Sequence, residues 1–240
     1  MAAMPVITVS GGLASGARDV AQAVARELAL DYVDQEILVE AARELGVSVA
    51  AVEDRDERAT SRGERIAQVL RTMMERSALA GTGDPISGGG AGLDIVLART
   101  YGEAAELPPA GSGQLDEQRY IATLTSVIKG IAARGNVVIL GRGSQAILQH
   151  EPETLHVWVA APLEHRIRHL VEREGMKPGD AEHRIKQSDA ARNAFHQRYF
   201  KVDANSPALY DMGLNHARIR TDVAARMIAV AAREIAPRPG

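Results

Sequence analysis

The stretch PVITVSGGLASGARD, residues 5–19, decides how the rest of the chain is read. Its first part, Pro5 to Ser10, is apolar and β-branched and breaks at Gly11-Gly12, which predicts a buried parallel strand running into a turn. From Arg18 to Leu30, Val20, Ala21, Val24, Ala25 and Leu28 recur at helical spacing, so the turn opens directly into a helix. Strand, glycine-rich turn and helix start together make an anion cradle. The first amides of a helix have no intrahelical acceptor, and its dipole is positive at that end. Gly11 and Gly16 keep the spacing of the two glycines in G-x-x-x-x-G-K-[ST], but Ala17 stands at the lysine position and Arg18 at the Ser/Thr position. The spacing alone fits either a phosphate cradle or a merely tight β-to-α turn.

Outward from that stretch, strands and helices alternate. Asp31–Asp34 reads as a second strand, followed by a helix through Ile37, Leu38, Ala41 and Leu45. The charged run Asp54–Arg58 reads as a solvated face. Ile66, Val69, Leu70 and Met73 form an apolar stripe expected to be core or a subunit contact, so a homo-oligomer through the 55–115 helices is one expectation. Two breaker-rich stretches, 81–92 and 107–113, bracket Leu93–Thr100 as an excursion from the main fold. A helix from Gln114, a strand at Asn136–Leu140 ending in Gly141-Arg142-Gly143, and a strand at Leu155–Ala160 follow. Helices at 164–174 and 180–200, a short strand at Tyr210–Asn215 and a closing helix at Thr221–Ile235 complete the order. This alternation predicts a parallel sheet covered by helices on both faces.

Composition excludes several classes. Hydrophobic residues make up 45% of 240, enough for a substantial core, while aromatics at 3% leave no stacking platform for single-stranded nucleic acid. Charge of −3, from 28 basic and 31 acidic residues, argues against a polyanion-coating protein, so no DNA or RNA partner is expected. With no Cys there is no disulfide, thiolate metal site or thiol nucleophile. No run approaches the length of a membrane span, and the start of the sequence goes straight into a strand; the expectation is a cytoplasmic protein with no membrane partner.

The segments ITVSGGLASGARDVAQAVARELAL, DYVDQEIL, GNVVILGRGSQAIL, VWVAAPLEHRIRHLVEREG, RIKQSDAARNAF and YDMGLN, in this order and spacing, resemble the cytidylate kinase-like proteins. These are relatives of bacterial cytidylate kinase among the P-loop nucleoside monophosphate kinases. The resemblance covers nearly all of the chain outside residues 55–115. It implies a P-loop kinase-type three-layer α/β sandwich with a five-stranded parallel sheet in the order 2-3-1-4-5. It also implies one domain over 1–240, with a helical and Gly-rich insertion at 55–115 and a lid-like segment at 180–200.

By position, the resemblance assigns phosphate binding to Gly11, Gly12, Ala14, Ser15, Gly16, Ala17, Arg18 and Asp19, and acceptor binding to Asp34 and Arg142. Lid arginines Arg184, Arg192 and Arg198 are the expected stabilisers of the transferring phosphoryl group. The chain departs from the family at Gly11, where an Arg is usual, at Ala14 and Ala17, where Gly is usual, and at Gly143, where cytidylate kinases carry Asp. Arg18 is the expected stand-in for the missing lysine, since a guanidinium binds phosphate bidentately. Asp19 is the expected oxygen ligand for Mg²⁺ brought with ATP.

Two functions stay open on these residues. One is a phosphotransferase moving the ATP γ-phosphate to a (d)CMP-like acceptor; the other is a nucleotide-binding regulatory module with weak or no turnover. His165 and His169, at i and i+4, read as an exposed pair, because no carboxylate motif accompanies them. Trp158 reads as core, and Asp211 and Asn215 as turn residues.

Overall fold

A computed structural model of the chain describes residues 5–34 and 113–235. Strand β1 (Val6–Gly11) leads through a turn into helix α1 (Ala17–Leu28), then β2 (Asp31–Val33). After residues outside the described set come α2 (Gly113–Ala132), β3 (Val137–Leu140), a one-turn α3 (Ser144–Ile147), β4 (Thr154–Ala160), α4 (Leu163–Glu174) and α5 (Pro178–Phe200). A short 3-10 turn at Pro207–Leu209, β5 (Met212–Asn215) and α6 (Thr221–Glu234) follow. Boundaries agree with the sequence expectations to within a few residues; α3 was too short for periodicity to show. The helix expected after Asp34, the stripe at 66–73 and the excursion at 81–113 lie outside the described residues, apart from Gly113, the first residue of α2.

The sheet has five strands in the order β2-β3-β1-β4-β5. β1 pairs in parallel with β3, Val6 opposite Val137, and with β4, Val6 opposite Thr154; β4 pairs in parallel with β5, Val157 opposite Met212. β1 is thus central, and its buried run of Val6, Ile7, Thr8, Val9 and Ser10 is what a strand covered on both faces requires. On one face, Ile7, Val9, Val157 and Val159 pack against Val20, Ala21 and Val24 of α1 and Ala224, Ala225 and Ile228 of α6. With few aromatics, small helix residues bring backbones close to the sheet and aliphatic side chains fill the remaining space. Each fully buried aliphatic in such a layer contributes roughly 1.5–3 kcal/mol before chain entropy is set against it.

The chain divides into two compact units: residues 1–32, 101–106 and 135–240, and residues 33–100 and 107–134. In the second, α2 buries Leu124, Val127, Ile128 and Ile131 at i, i+3, i+4 and i+7, as its periodicity predicted. In the first, α4 and α5 form a helical pair with its own small core of Leu170, Ala181 and Ile185. Gly175, at φ 68°, ends α4, and Pro178 stands in the first turn of α5.

Candidate functional site

The sheet order reverses about β1, and ligands in open α/β sheets bind at the carboxyl ends of strands where this happens. The turn after β1 lies there. Gly16 caps α1 in the left-handed region (φ 86°) with no side-chain cap hydrogen bond, leaving the first-turn amides of a twelve-residue helix available to an anion. Within the turn, Ser15 N donates to Gly12 O at 3.1 Å, and Ala14 is left-handed at φ 59°. Gly11 is held tightly: a Cβ there would lie 2.6 Å from Val159 O and 2.8 Å from Ala17 Cβ, so the arginine usual in the family has no room. Ser15 Oγ is buried with no hydrogen-bond partner among the described residues.

Two groups press on this turn from outside. Arg166 of α4, 9% exposed, donates from Nε to Leu13 O at 2.7 Å and forks onto Asp189 of α5, Nη1–Oδ2 at 2.7 Å and Nη2–Oδ1 at 2.8 Å. A Cβ on Gly12 would come within 2.7 Å of both Arg166 Nη2 and Asp189 Oδ1. On the other side His216, just past β5, lays its ring on Gly16, where a Cβ would lie 2.7 Å from Cγ. His216 Nε2 pairs with Thr221 Oγ1 at 3.0 Å, and His165 meets its ring edge-on at 6.3 Å between centroids. Burial lowers the His216 pKa below the ordinary histidine value; Asp19 opposes this, while His165 and His169 reinforce it. His165 and His169 are half-buried and directed towards this cluster, where the sequence reading had an exposed pair. Asp19 takes Arg173 Nη2 at 3.3 Å and lies 3.9 Å from His169 Nε2, while Arg18 is exposed.

At the end of β3, Gly141, Arg142 and Gly143 are all left-handed (φ 72°, 56° and 71°). Only glycine adopts this region freely, so Arg142, itself 3% exposed, is the strained member. Gly143 has a second reason to be glycine. A Cβ would lie 2.9 Å from Phe200 Cζ, so the aspartate of cytidylate kinases would collide with the end of α5. Gln145 then donates from Nε2 to His196 Nε2 at 2.8 Å, and His196 Nδ1 faces Arg192 O at 2.7 Å. The carbonyl fixes the proton on Nδ1 and makes Nε2 the acceptor. Burial, the largest influence, pushes the His196 pKa down to about 4, keeping the ring neutral.

The expected lid arginines sit in three different settings. Arg192 is buried and directed to Asn205 Oδ1 and Ala204 O; Arg184 is exposed and paired with Glu174; Arg198 lies over the Tyr199 ring, 5.7 Å from its centroid. Asp34 is buried at the end of β2, in the second unit. Trp158 is half-buried and stacks on Tyr210, their centroids 5.7 Å apart. Asn215 holds a turn through Ala217 N at 3.1 Å, whereas Asp211, read from sequence as a turn residue, accepts from His156 N of β4 at 2.8 Å.

Residues 6–218 match the profile of the cytidylate kinase-like family. The chain belongs to that family. A curated relative, the cytidylate kinase of Methanopyrus kandleri, is 28% identical over 99 residues, 38% of this chain and 51% of the relative. The chain thus spans about half the length of the curated relative it matches. Among solved structures, an uncharacterized protein from Eubacterium ventriosum aligns over 96% of this chain and 99% of that one, at 16% identity and a TM-score of 0.59, a likeness of fold. Shikimate kinase from Acinetobacter baumannii, in complex with shikimate, aligns over 95% and 92% at 11% identity with a TM-score of 0.43.

For a cytidylate kinase-like chain the group to fit is magnesium carried on nucleotide phosphates. Mg²⁺ takes oxygen donors and keeps several waters, so one or two protein oxygens beside the phosphates suffice. The turn offers Ser15 Oγ and the Asp19 carboxylate, and among the described residues no group of three or more His, Asp or Glu is placed to hold a metal. The donor set at the turn fits a phosphate-borne Mg²⁺.

Of the three residues that touch the turn, Arg166 reads from sequence, with Arg168, as either a solvated helix face or a phosphate contact, while Asp189 and His216 have no expected role. Arg166 and His216 lie 153 and 200 residues beyond Leu13 and Gly16, and no local pattern marks a long-range partner. The only sequence signal was a basic helix directly after a buried strand.

Proposed function

We propose that this chain is a nucleoside monophosphate kinase-like phosphotransferase that moves the γ-phosphate of Mg-ATP to a (d)CMP-like acceptor. The observation that carries the reading is the uncapped N-terminus of α1 at Gly16, beside a glycine turn at the end of the central strand. Phosphoryl transfer asks for little beyond positioning and charge stabilisation, and this arrangement offers both to a polyphosphate. Gly11 to Asp19 would cradle the donor phosphates, with Ser15 and Asp19 as the oxygens that hold Mg²⁺; the metal supplies neutralisation of phosphate charge. Arg18, exposed at the first turn of α1, would reach towards the cradle in place of the absent lysine. Arg142 would hold the acceptor, and Arg184, Arg192 and Arg198 would bear on the transferring group.

A second reading, a nucleotide-binding module with little turnover, draws on one observation. Arg192 and Arg184 are held by Asn205 and Glu174. A phosphoryl group must displace those partners before either arginine can assist. The test is titration calorimetry with Mg-ATP, followed by CMP-dependent ADP release in the same sample. Binding with release supports the kinase; binding without release for CMP, dCMP and UMP favours the module; no binding overturns both.

A further inference from the structure

The peptide linking Leu13 to Ala14 lies in the turn between β1 and α1, and its orientation is held from outside the turn. Its carbonyl accepts from Arg166 Nε at 2.7 Å, and the next residue, Ala14, is left-handed at φ 59°. A trans peptide is planar with C=O and N–H antiparallel, so the Ala14 N–H points away from Arg166. Rotating that one peptide by half a turn would bring Ala14 to an ordinary negative φ and swing the Leu13 oxygen to where the N–H now lies. For alanine the backbone preference for doing so is roughly tenfold in population. After the flip, a carbonyl lone pair would stand where an amide donor stood, the wrong charge for an anion.

What resists the flip is specific. Arg166 is buried, and its fork onto Asp189 fixes the guanidinium so that Nε faces Leu13 O. Gly12 lets both side chains lie flat on the backbone. Leu13 and Ala14 themselves pack against Leu170, Ala181 and Ile185 of the α4–α5 pair.

We infer that Arg166 and Asp189 form a latch that sets the orientation of the Leu13–Ala14 peptide, so that the turn presents amides to phosphate only while α4 and α5 grip it. The inference rests on the reading of this turn as a phosphate site. Arg166 is then a positioning residue. The glycine usual at the Ala14 position in the family would need no help to hold a positive φ, and here the latch does that work for an alanine.

The test uses the full-length chain, with amide hydrogen exchange read over residues 12–16 and Mg-ATP affinity read by calorimetry. Arg166→Gln and Asp189→Asn are each expected to speed exchange in the turn about tenfold or more while protection in β1 and β4 stays as in the wild type. Both should weaken Mg-ATP by a similar factor, the loss expected for a hydrogen bond to a charged donor. Adding Ala14→Gly to Arg166→Gln should recover most of that affinity, because glycine needs no help at φ 59°; a merely structural role for Arg166 predicts no such rescue. Unchanged exchange in both single variants, or no recovery in the double variant, overturns the latch. Should Arg166→Gln lose protection throughout β1 and β4, Asp189→Asn and Arg166→Lys decide by the same criteria. If the wild type binds no Mg-ATP, the phosphate reading fails, and the exchange comparison still decides whether the latch exists.

Discussion

At the end of β1 the backbone turns through Ala14 at φ 59° and Gly16 at φ 86°, while at the end of β3 it turns through Gly141, Arg142 and Gly143, all left-handed. The β3 turn places glycine at two of its three left-handed positions. The β1 turn places glycine at one of two. The β3 turn is also pinned by one helix, with Phe200 seated on Gly143 and Gln145 bonded to His196, so α5 covers it directly. The β1 turn instead leaves a left-handed alanine and is held by Arg166, which is in turn held by Asp189. One turn is held by packing and a neutral hydrogen bond from a single helix, the other by charge brought from two helices. The second arrangement is more easily opened, since losing one guanidinium contact releases it.

Substitutions that attack each turn should separate these two modes. The largest effect is expected for Gly143→Ala. A left-handed alanine costs about 1 kcal/mol and a Cβ driven into Phe200 roughly 2–3 kcal/mol, so the midpoint in urea should reflect a loss of about 3–4 kcal/mol. An unchanged midpoint would mean that Phe200 can leave Gly143 freely and that the β3 turn is not locked by packing.

Next comes acid. His196 has its folded pKa lowered to about 4 from the usual 6.5, so the unfolded chain takes up this proton first as pH falls. The stability tied to the neutral ring is fully present above pH 6.5 and is lost as pH drops towards 4, in total about 3 kcal/mol. Urea titrations across that window should show the slope in the wild type, and His196→Gln should flatten it. If the slope survives the substitution, the Gln145–His196 contact is not what ties the β3 turn to α5 at neutral pH.

The smallest effect belongs to Ala14→Gly in the wild-type background. Relief of the left-handed alanine, about 1 kcal/mol, is largely offset by the loss of a half-buried methyl against the α4–α5 core. A net gain of a few tenths of a kcal/mol in thermal or urea unfolding is expected. A clear loss of stability would show that the methyl contact, not the backbone angle, governs this position.

The β1 turn was legible from sequence because its signals are local. A β-branched strand, paired glycines and a 3.6-residue apolar period each follow from backbone sterics within a few residues. Gly141-Arg142-Gly143 was equally visible as a charge at the end of a buried strand, though its three left-handed residues were not, since an arginine carries no local signal for that region. Residue spacing showed the arginines on α5 only as a charged helix, and the family resemblance alone made them a lid. Whether Arg192 faces Asn205 or solvent depends on how the chain after α5 returns, which residue spacing does not encode. His216 carries no local signal in the sequence, and its place on Gly16 comes from the parallel pairing of β4 with β5.

The amino-acid sequence by itself determined the alternation of strands and helices, the position of the glycine turn after the first strand, the family and, through it, the strand order. These rest on periodicity and on steric limits that act over short stretches of chain. The tertiary structure alone decided that Arg166 and Asp189 grip the turn, that His216 closes its other side, and that Phe200 makes glycine obligatory at Gly143. Each of these needs side chains far apart in sequence to be brought within bonding distance, and only the packing of the parallel sheet with its helices fixes which ones meet.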